Sequence, residues 1–233
     1  GQPVISGYGL PKARVKRLDP RPLPHFLEGP ARWMKTLNDP EEARRAYEHI
    51  RRSDLFDDKI QMYKTSVSLD GESHEIGRIR AFTAGRLERE SVFLHMSYKY
   101  LLALLKSGLQ EQFFHEMRTS LIPFLDPAVY GRSTLENSSF IATSVNPDPK
   151  VHGRGFVARL SGSTAEFISI WMMMMAGPHV FRMQGKELQL AFAPSLPGWL
   201  FNEQAEVAFK FLGTTEVTYH NPGRGNKIGR AHV

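Results

Sequence analysis

The chain contains no cysteine among its 233 residues. This excludes a disulfide framework, catalysis by a thiol and a thiolate metal site, and it favours a cytoplasmic protein. No long apolar run is present either. The Trp171-Met-Met-Met-Met175 run is much shorter than the roughly 20 residues that a membrane-spanning helix needs. We therefore expect no membrane partner.

No strong imbalance of charge is present, since 30 Lys and Arg face 24 Asp and Glu, a net charge of +6. Basic side chains crowd residues 12–35 and 44–52, a feature that nucleic-acid-binding proteins share. Acidic residues interleave with them from Asp39 onward, and no recognition motif accompanies the charge. We therefore expect no nucleic-acid partner. Hydrophobic residues make up 41% of the chain, which is ample for a core.

The helix signals are concentrated in the first 180 residues. Asp39-Pro-Glu-Glu42 predicts a helix start, because Asp can cap a helix and Pro suits its first position. Apolar periodicity predicts helices over residues 91–106 and 110–121, the second of which is stopped by Pro123. A further helix is predicted over residues 164–176.

The strand signals are weak at first and become clearer after Gly177. Short extended pieces are predicted at residues 63–69 and 76–82, and the turn-rich residues 126–152 predict a long loop. Strands are then predicted in one continuous series, at residues 188–192, 205–211 and 216–219. The change predicts a domain boundary near residue 180, with a helical part at 1–180 and a β-rich segment at 181–227.

Three features of the sequence could carry chemistry. His95 opens a helix, where it is either a functional group or a histidine packed in the core. Arg159-Leu-Ser-Gly-Ser-Thr-Ala-Glu166 precedes another helix, whose free N–H groups suit an anion. Ser163 and Glu166 also fit a plain capping box without a ligand. The polar loop residues 136–139 and 146–159 suit sugar hydroxyls, or are simply solvated.

Together these motifs resemble glycoside hydrolase family 94, the inverting phosphorylases typified by cellobiose phosphorylase. The family's Glu-Asn-Gly-Gly-x-Tyr-x-His corresponds to Glu88-Arg-Glu-Ser-Val-Phe-Leu-His95. Glu136-Asn-Ser-Ser139 is similar to its Glu-Pro-Tyr-Val, and residues 158–167 are similar to its Trp-x-Thr-Gly-x-Ala-x-Trp-Met. The resemblance extends over about residues 75–222. Here Arg89, Glu90 and Ser91 stand where the family has Asn and two Gly, and Ser161 stands where it has Thr.

The resemblance implies a mainly α protein with C-terminal β structure: the last part of an (α/α)6 barrel, followed by the start of a β-rich segment. The parent enzyme would cleave a β-linked glucoside or oligoglucan with inorganic phosphate, giving an α-glycosyl 1-phosphate. Its partners would be oligosaccharide and phosphate, with no metal or organic cofactor, and a homodimeric parent stays open. The residues implied are, for phosphate, His95, Ser161 and Gly162, and, for the sugar, Glu88, Glu136, Ser138 and Arg159.

The family's general acid is an aspartate that would precede Gly1. No catalytic residue is therefore assigned within this chain, and the chain alone is expected to be inactive. Two alternatives stay open: an inverting hydrolase on the same barrel, with Glu88 or Glu136 as base, and a non-catalytic carbohydrate-binding relative.

The last six residues, Ile228 to Val233, match the translation of a widely used sequencing-library adapter (ATC GGA AGA GCA CAC GTC). We expect them to be an artefact that packs against nothing, and we expect the natural protein to continue beyond Asn226.

Overall fold

The computed structural model describes residues 7–9, 16–158 and 161–229. Six α-helices lie within these residues: α1 (Glu28–Trp33), α2 (Pro40–Arg51), α3 (Leu94–Lys106), α4 (Gln110–Ser120), α5 (Pro127–Tyr130) and α6 (Ser161–Met175). The predicted start of α2 is confirmed, because the Asp39 side chain accepts a hydrogen bond from the N–H of Glu41 and Pro40 is the first helical residue. α3 and α4 pack as the predicted helical hairpin, and Gly108, with φ at +78°, forms the turn between them.

The strands form small antiparallel sheets. Those before α6 are β1 (Phe56–Asp57), β2 (Met62–Tyr63), β3 (Val92–Phe93), β4 (Ser138–Ile141) and β5 (Gly155–Ala158). Those after it are β6 (Phe181–Gln184), β7 (Glu187–Leu190), β8 (Ser195–Leu196), β9 (Glu206–Phe211), β10 (Thr215–His220) and β11 (Lys227–Ile228). β1 pairs with β2, β6 with β7, β9 with β10, and β8 with β11, while β3, β4 and β5 form one sheet with β4 in the middle.

The sheet of β3, β4 and β5 sets the positions of α3 and α6. Both outer strands run antiparallel to β4, so they are parallel to each other and end where β4 begins. α3 follows β3 directly, and α6 begins three residues after β5. The two helices therefore start at the same end of the sheet, and they pack against each other.

One hydrophobic core runs through the chain from Leu27 to Tyr219. α3 lies at its centre, because ten of its thirteen residues are buried. The core also includes Phe192 and Val207, and the Tyr219 hydroxyl donates to the carbonyl of Met175 at 2.6 Å. The strand-rich part after α6 thus shares a core with the helices, and the domain boundary near residue 180 stays a prediction.

A buried carboxylate joins three elements of this core. Glu116 on α4 is fully buried, and its Oε1 accepts hydrogen bonds from the Tyr47 hydroxyl (2.6 Å), Arg51 Nη1 (2.8 Å) and the Tyr63 hydroxyl (3.0 Å). Charge-assisted bonds of this kind are among the stronger contacts in a protein interior. They hold α2, α4 and β2 together.

The expected (α/α)6 barrel and mainly α class are wrong. The structure is 37% helical and 19% strand, with several small sheets, and no helical barrel is evident among the described residues. The expectation fails because residues 126–152, predicted as a long loop, contain α5 and β4, and β5 follows them directly. A sheet therefore lies between the starts of α3 and α6, where a barrel would continue with helix pairs.

Other predictions meet mixed outcomes. The extended piece at residues 76–82 is wrong, since 3-10 turns occupy His74–Ile76 and Arg78–Ala81. The three strands predicted after residue 187 are confirmed as β7, β9 and β10. The expectation that residues 228–233 pack against nothing is wrong for the first two of them, because the backbone of Ile228 pairs with Ser195 and the Gly229 N–H donates to the Pro194 carbonyl, although the Ile228 side chain is half-exposed. Residues 230–233 lie outside the described residues. No helix in the described part of the chain is long and apolar enough to cross a membrane.

Candidate functional site

His95 and Gly162 lie in contact at the end of the sheet where α3 follows β3 and α6 follows β5. Each is the second residue of its helix, His95 of α3 and Gly162 of α6. A Cβ placed on Gly162 would lie 2.5 Å from Nδ1 and 2.7 Å from Cε1 of the imidazole. Non-bonded contacts of a Cβ are not that short. The imidazole therefore occupies the space that the side chain of any residue larger than glycine would need at position 162. The structure thus brings together two of the residues that the resemblance assigns to phosphate, and their role in binding it stays a prediction.

Glu166 is a further member of this group that the sequence analysis assigned only to a capping box. It lies one helical turn after Gly162, on the same face of α6. Its Oε1 is 3.8 Å from Nε2 of His95, and both side chains are largely shielded from solvent, with 20% and 28% exposed. The spacing of four residues from Gly162 is the signal that could have identified it. Since α6 begins at Ser161, Ser163 lies inside the helix and is not its N-cap.

The surroundings of His95 favour its neutral form. Burial lowers the pKa of the imidazole below its usual value of 6.5, and the nearby Lys99 ammonium lowers it further. The carboxylates of Glu166 and Glu28 act in the opposite direction. Glu28 in turn contacts Lys99 at 3.5 Å. An anion that binds beside His95 would therefore promote its protonation.

The start of α6 supplies donors at this place. The first N–H groups of a 15-residue helix have no partner inside the helix, and the helix dipole is positive there. Ser161 is the first helical residue, but its side chain lies outside the described part of the structure. Arg159, predicted to bind substrate, also lies outside it.

Ser138 begins β4 at the same end of the sheet. Its hydroxyl is fully buried, accepts a hydrogen bond from the Tyr130 hydroxyl at 2.8 Å and donates to the carbonyl of Phe140 at 3.1 Å. Gly155 lies directly beside this pair, since a Cβ there would be 2.7 Å from the Ser138 Oγ. Both hydrogen bonds of Ser138 are therefore made within the protein.

The two glutamates predicted to contact substrate have separate surroundings. Glu136 precedes β4, is half-exposed, and its Oε1 accepts from Arg132 at 3.0 Å. Glu88 lies before the other end of β3, and its Oε1 accepts from Arg78 at 2.6 Å. Of the two, only Glu136 lies at the end of the sheet where His95 and Gly162 meet. Each carboxylate is already ion-paired with an arginine side chain.

A row of three phenylalanines leads across the sheet to His95. Phe93, Phe140 and Phe156 are cross-strand neighbours, with ring centroids 4.6 and 5.6 Å apart and nearly parallel planes. His95 meets the edge of the Phe93 ring at 6.0 Å. Offset stacking of this kind fixes ring positions, so the row limits the movement of the imidazole. Sequence reasoning missed it because strands of two and four residues carry too little periodicity.

No metal centre is evident at this place. Among residues 7–9, 16–158 and 161–229, no three His, Asp or Glu side chains group closely enough to hold a metal ion. Comparison with known proteins finds no family model that matches the chain and no matching curated protein. The function must therefore be inferred from the residues and their geometry.

Proposed function

We propose that this chain is the phosphate-binding part of an inverting glycoside phosphorylase that cleaves a β-linked glucoside or oligoglucan. The observation that carries the proposal is the contact of the His95 imidazole with Gly162 at the first turn of α6. It brings a titratable imidazole beside the first turn of a helix, whose dipole is positive there, and this combination suits a phosphate.

The chemistry needs phosphate as the nucleophile. Phosphate takes the place that an activated water holds in an inverting glycosidase, and it attacks the anomeric carbon from the face opposite the leaving group. Since it is already an anion, it requires positioning and charge neutralisation more than a general base. His95 supplies a proton-dependent charge, Gly162 leaves room for the imidazole, and Ser161 supplies the hydroxyl that the resemblance implies.

Glu166 fits this arrangement as a positioning residue. A carboxylate 3.8 Å from His95 Nε2 would repel phosphate if it acted alone. Beside a protonated imidazole it orients the ring and stabilises its charge. We therefore assign phosphate contact to His95 and assign Glu166 to holding it.

The sugar would bind beside the start of β4. Glu136 is exposed there and can accept hydrogen bonds from hydroxyl groups, and the resemblance also implies Arg159. Glu88, the other glutamate that the resemblance implies, lies at the opposite end of β3 and would not reach this place. Ser138 is enclosed, so its contribution would be to hold the start of β4 in place. The protonation of the leaving oxygen would come from an aspartate outside this chain. A cytoplasmic location, and a reaction without metal or organic cofactor, complete the proposal.

The test is phosphate-dependent cleavage by the intact parent enzyme. With cellobiose and longer β-glucans as substrates, we expect α-glycosyl 1-phosphate in phosphorus NMR only when inorganic phosphate is present. Release of free sugar without phosphate would identify a hydrolase instead, and binding of glucan without turnover would identify a non-catalytic protein.

A further inference from the structure

A second polar cleft lies at the other end of β3 from His95. It has a volume of about 560 Å³, and Glu90, Lys64, Arg51, Arg52, Asp54 and Asp58 are among its lining residues. Glu90 is two residues before β3, and His95 is two residues after it. The cleft is therefore separate from the phosphate site proposed above.

Two charged groups in this cleft are more than nine-tenths buried. Glu90 is 4% exposed and Lys64 is 9% exposed. The cation closest to the Glu90 carboxylate in the described part of the chain is Arg89, with Nε at 3.7 Å, beyond hydrogen-bond distance. Lys64 Nζ makes no hydrogen bond or ion pair with a described residue, and the Glu90 carboxylate has only the long ion pair with Arg89. Both groups therefore keep hydrogen-bonding capacity that a ligand in the cleft could use.

The backbone of Glu90 is held in an unfavourable conformation. Its φ is +54°, in the left-handed region that favours glycine. Two hydroxyls hold it there: Ser66 Oγ accepts from the Glu90 N–H at 3.2 Å, and Thr143 Oγ1 donates to the Glu90 carbonyl. Strained residues fixed by their surroundings tend to occur at binding sites, because the strain aims a side chain. Here the strained residue places a carboxylate in the cleft.

Burial raises the pKa of the Glu90 carboxyl, against the opposing effect of the nearby Lys64 and Arg89 cations.

The balance of charges indicates the kind of ligand. The lining holds charges of both signs: Asp54, Asp58 and Glu90 lie with Lys64, while Arg51 and Arg52 are already ion-paired with Glu116 and Glu48. An anionic ligand would be repelled by the three carboxylates, and a ligand that can only donate would leave the Lys64 ammonium without an acceptor. A neutral ligand with many hydroxyl groups satisfies both sets, because each hydroxyl donates one hydrogen bond and accepts others.

We propose that this cleft binds a neutral saccharide, with Glu90 accepting hydrogen bonds from its hydroxyls and Lys64 donating to them. The saccharide site does not require the phosphate site to be correct.

The test is calorimetric titration of cellobiose into the 233-residue chain. We expect saturable binding that Glu90→Gln weakens at least tenfold, since an amide accepts less strongly than a carboxylate and has no attraction to Lys64. Glu90→Gly should weaken binding equally while keeping or raising the Tm, because glycine adopts the left-handed conformation without strain. Leu87→Gly is the matched control. Leu87 has the same φ of +54° and does not line the cleft, so this variant should bind cellobiose as the wild type does.

Three outcomes would overturn the saccharide site: no saturable binding of cellobiose, binding by Glu90→Gln within twofold of the wild type, or binding of the zwitterion glycylglycine in preference to cellobiose. Titration of phosphate into the same protein separates the two proposals. A chain that binds cellobiose through Glu90 but does not bind phosphate would contradict the phosphate site alone.

Discussion

Residue 162 has no room for a side chain, because even a Cβ at this position would overlap the His95 imidazole. We predict that Gly162→Ala lowers the free energy of unfolding by about 1–3 kcal/mol and weakens phosphate binding, because the added Cβ displaces the His95 imidazole. Gly71→Ala is the control, since no atom lies within 4 Å of a Cβ at that position and its φ is ordinary. It should change stability by less than about 0.5 kcal/mol. Urea unfolding of both variants provides the measurement, and equal stabilities would contradict the contact.

The depressed pKa of His95 gives anion binding a defined pH dependence. The imidazole is mostly neutral at pH 7.5, and a bound anion favours its protonated form, so affinity should rise as the pH falls toward 5.5. Sulfate is the suitable probe because it does not titrate in this range. We expect its affinity to increase by up to about tenfold per pH unit in the wild type.

The matched variant for this titration is His95→Gln, which keeps a polar side chain but cannot take up the proton. Its sulfate affinity should change much less with pH. The other charged groups that face the imidazole are Glu166, Glu28 and Lys99, and all three remain in the variant. Parallel pH profiles for the two proteins would show that His95 does not bind the anion.

Glu90 departs from the family motif at a position where its backbone conformation is one that glycine favours. The family that the sequence resembles has glycine at this position, and the backbone of Glu90 has the left-handed φ that glycine adopts readily. The backbone geometry is thus compatible with the motif although the residue departs from it. The motif does not predict the Glu90 side chain, which places a buried carboxylate in the second cleft.

Among the elements, the sheet of β3, β4 and β5 decides which residues meet. The helices after β3 and β5 were predictable from apolar periodicity, and α2, α3, α4 and α6 lie within a few residues of their expected bounds. The sheet was not predictable from periodicity, because its strands are two to four residues long and two of them follow turn-rich sequence. Val92 and Phe93 fit a helical pattern as well as a strand, and pairing with β4 determined their conformation. The helices that carry His95 and Gly162 could therefore be predicted, but the sheet end that brings the two residues together could not, and their role at a site stays a prediction.

Two adjacent serines on β4 test how this sheet is held. Ser138 and Ser139 are both fully buried, but the Ser138 hydroxyl makes two hydrogen bonds, whereas that of Ser139 has no partner among the described residues. We predict that Ser138→Ala lowers the free energy of unfolding by about 0.5–1.5 kcal/mol, since the hydroxyl's bonds to Tyr130 and to the Phe140 carbonyl are lost while the Tyr130 hydroxyl still donates to the Glu136 carbonyl. Ser139→Ala should be neutral or slightly stabilising. Thermal unfolding of the two variants distinguishes them, and the reverse order would contradict the described hydrogen bonds.

At the scale of the whole molecule, the C-terminal residues should contribute little. β11 has two residues, and the Ile228 side chain is half-exposed although its backbone pairs with Ser195. Deletion of residues 228–233 is expected to change the free energy of unfolding by less than about 0.5 kcal/mol, as for a surface substitution. A larger loss in urea unfolding would mean that these residues belong to the fold, against the adapter interpretation.

The central claim is that His95 and the start of α6 form a phosphate site, and calorimetric titration of inorganic phosphate tests it most directly. The comparison is between the wild-type 233-residue chain and His95→Ala at pH 6.5, where part of the imidazole can take up a proton. Loss of a charge-assisted contact of about 1.5–3 kcal/mol predicts phosphate binding that is roughly 10- to 150-fold weaker in the variant. Wild-type and variant affinities within twofold of each other, or no phosphate binding by the wild type, would contradict the account.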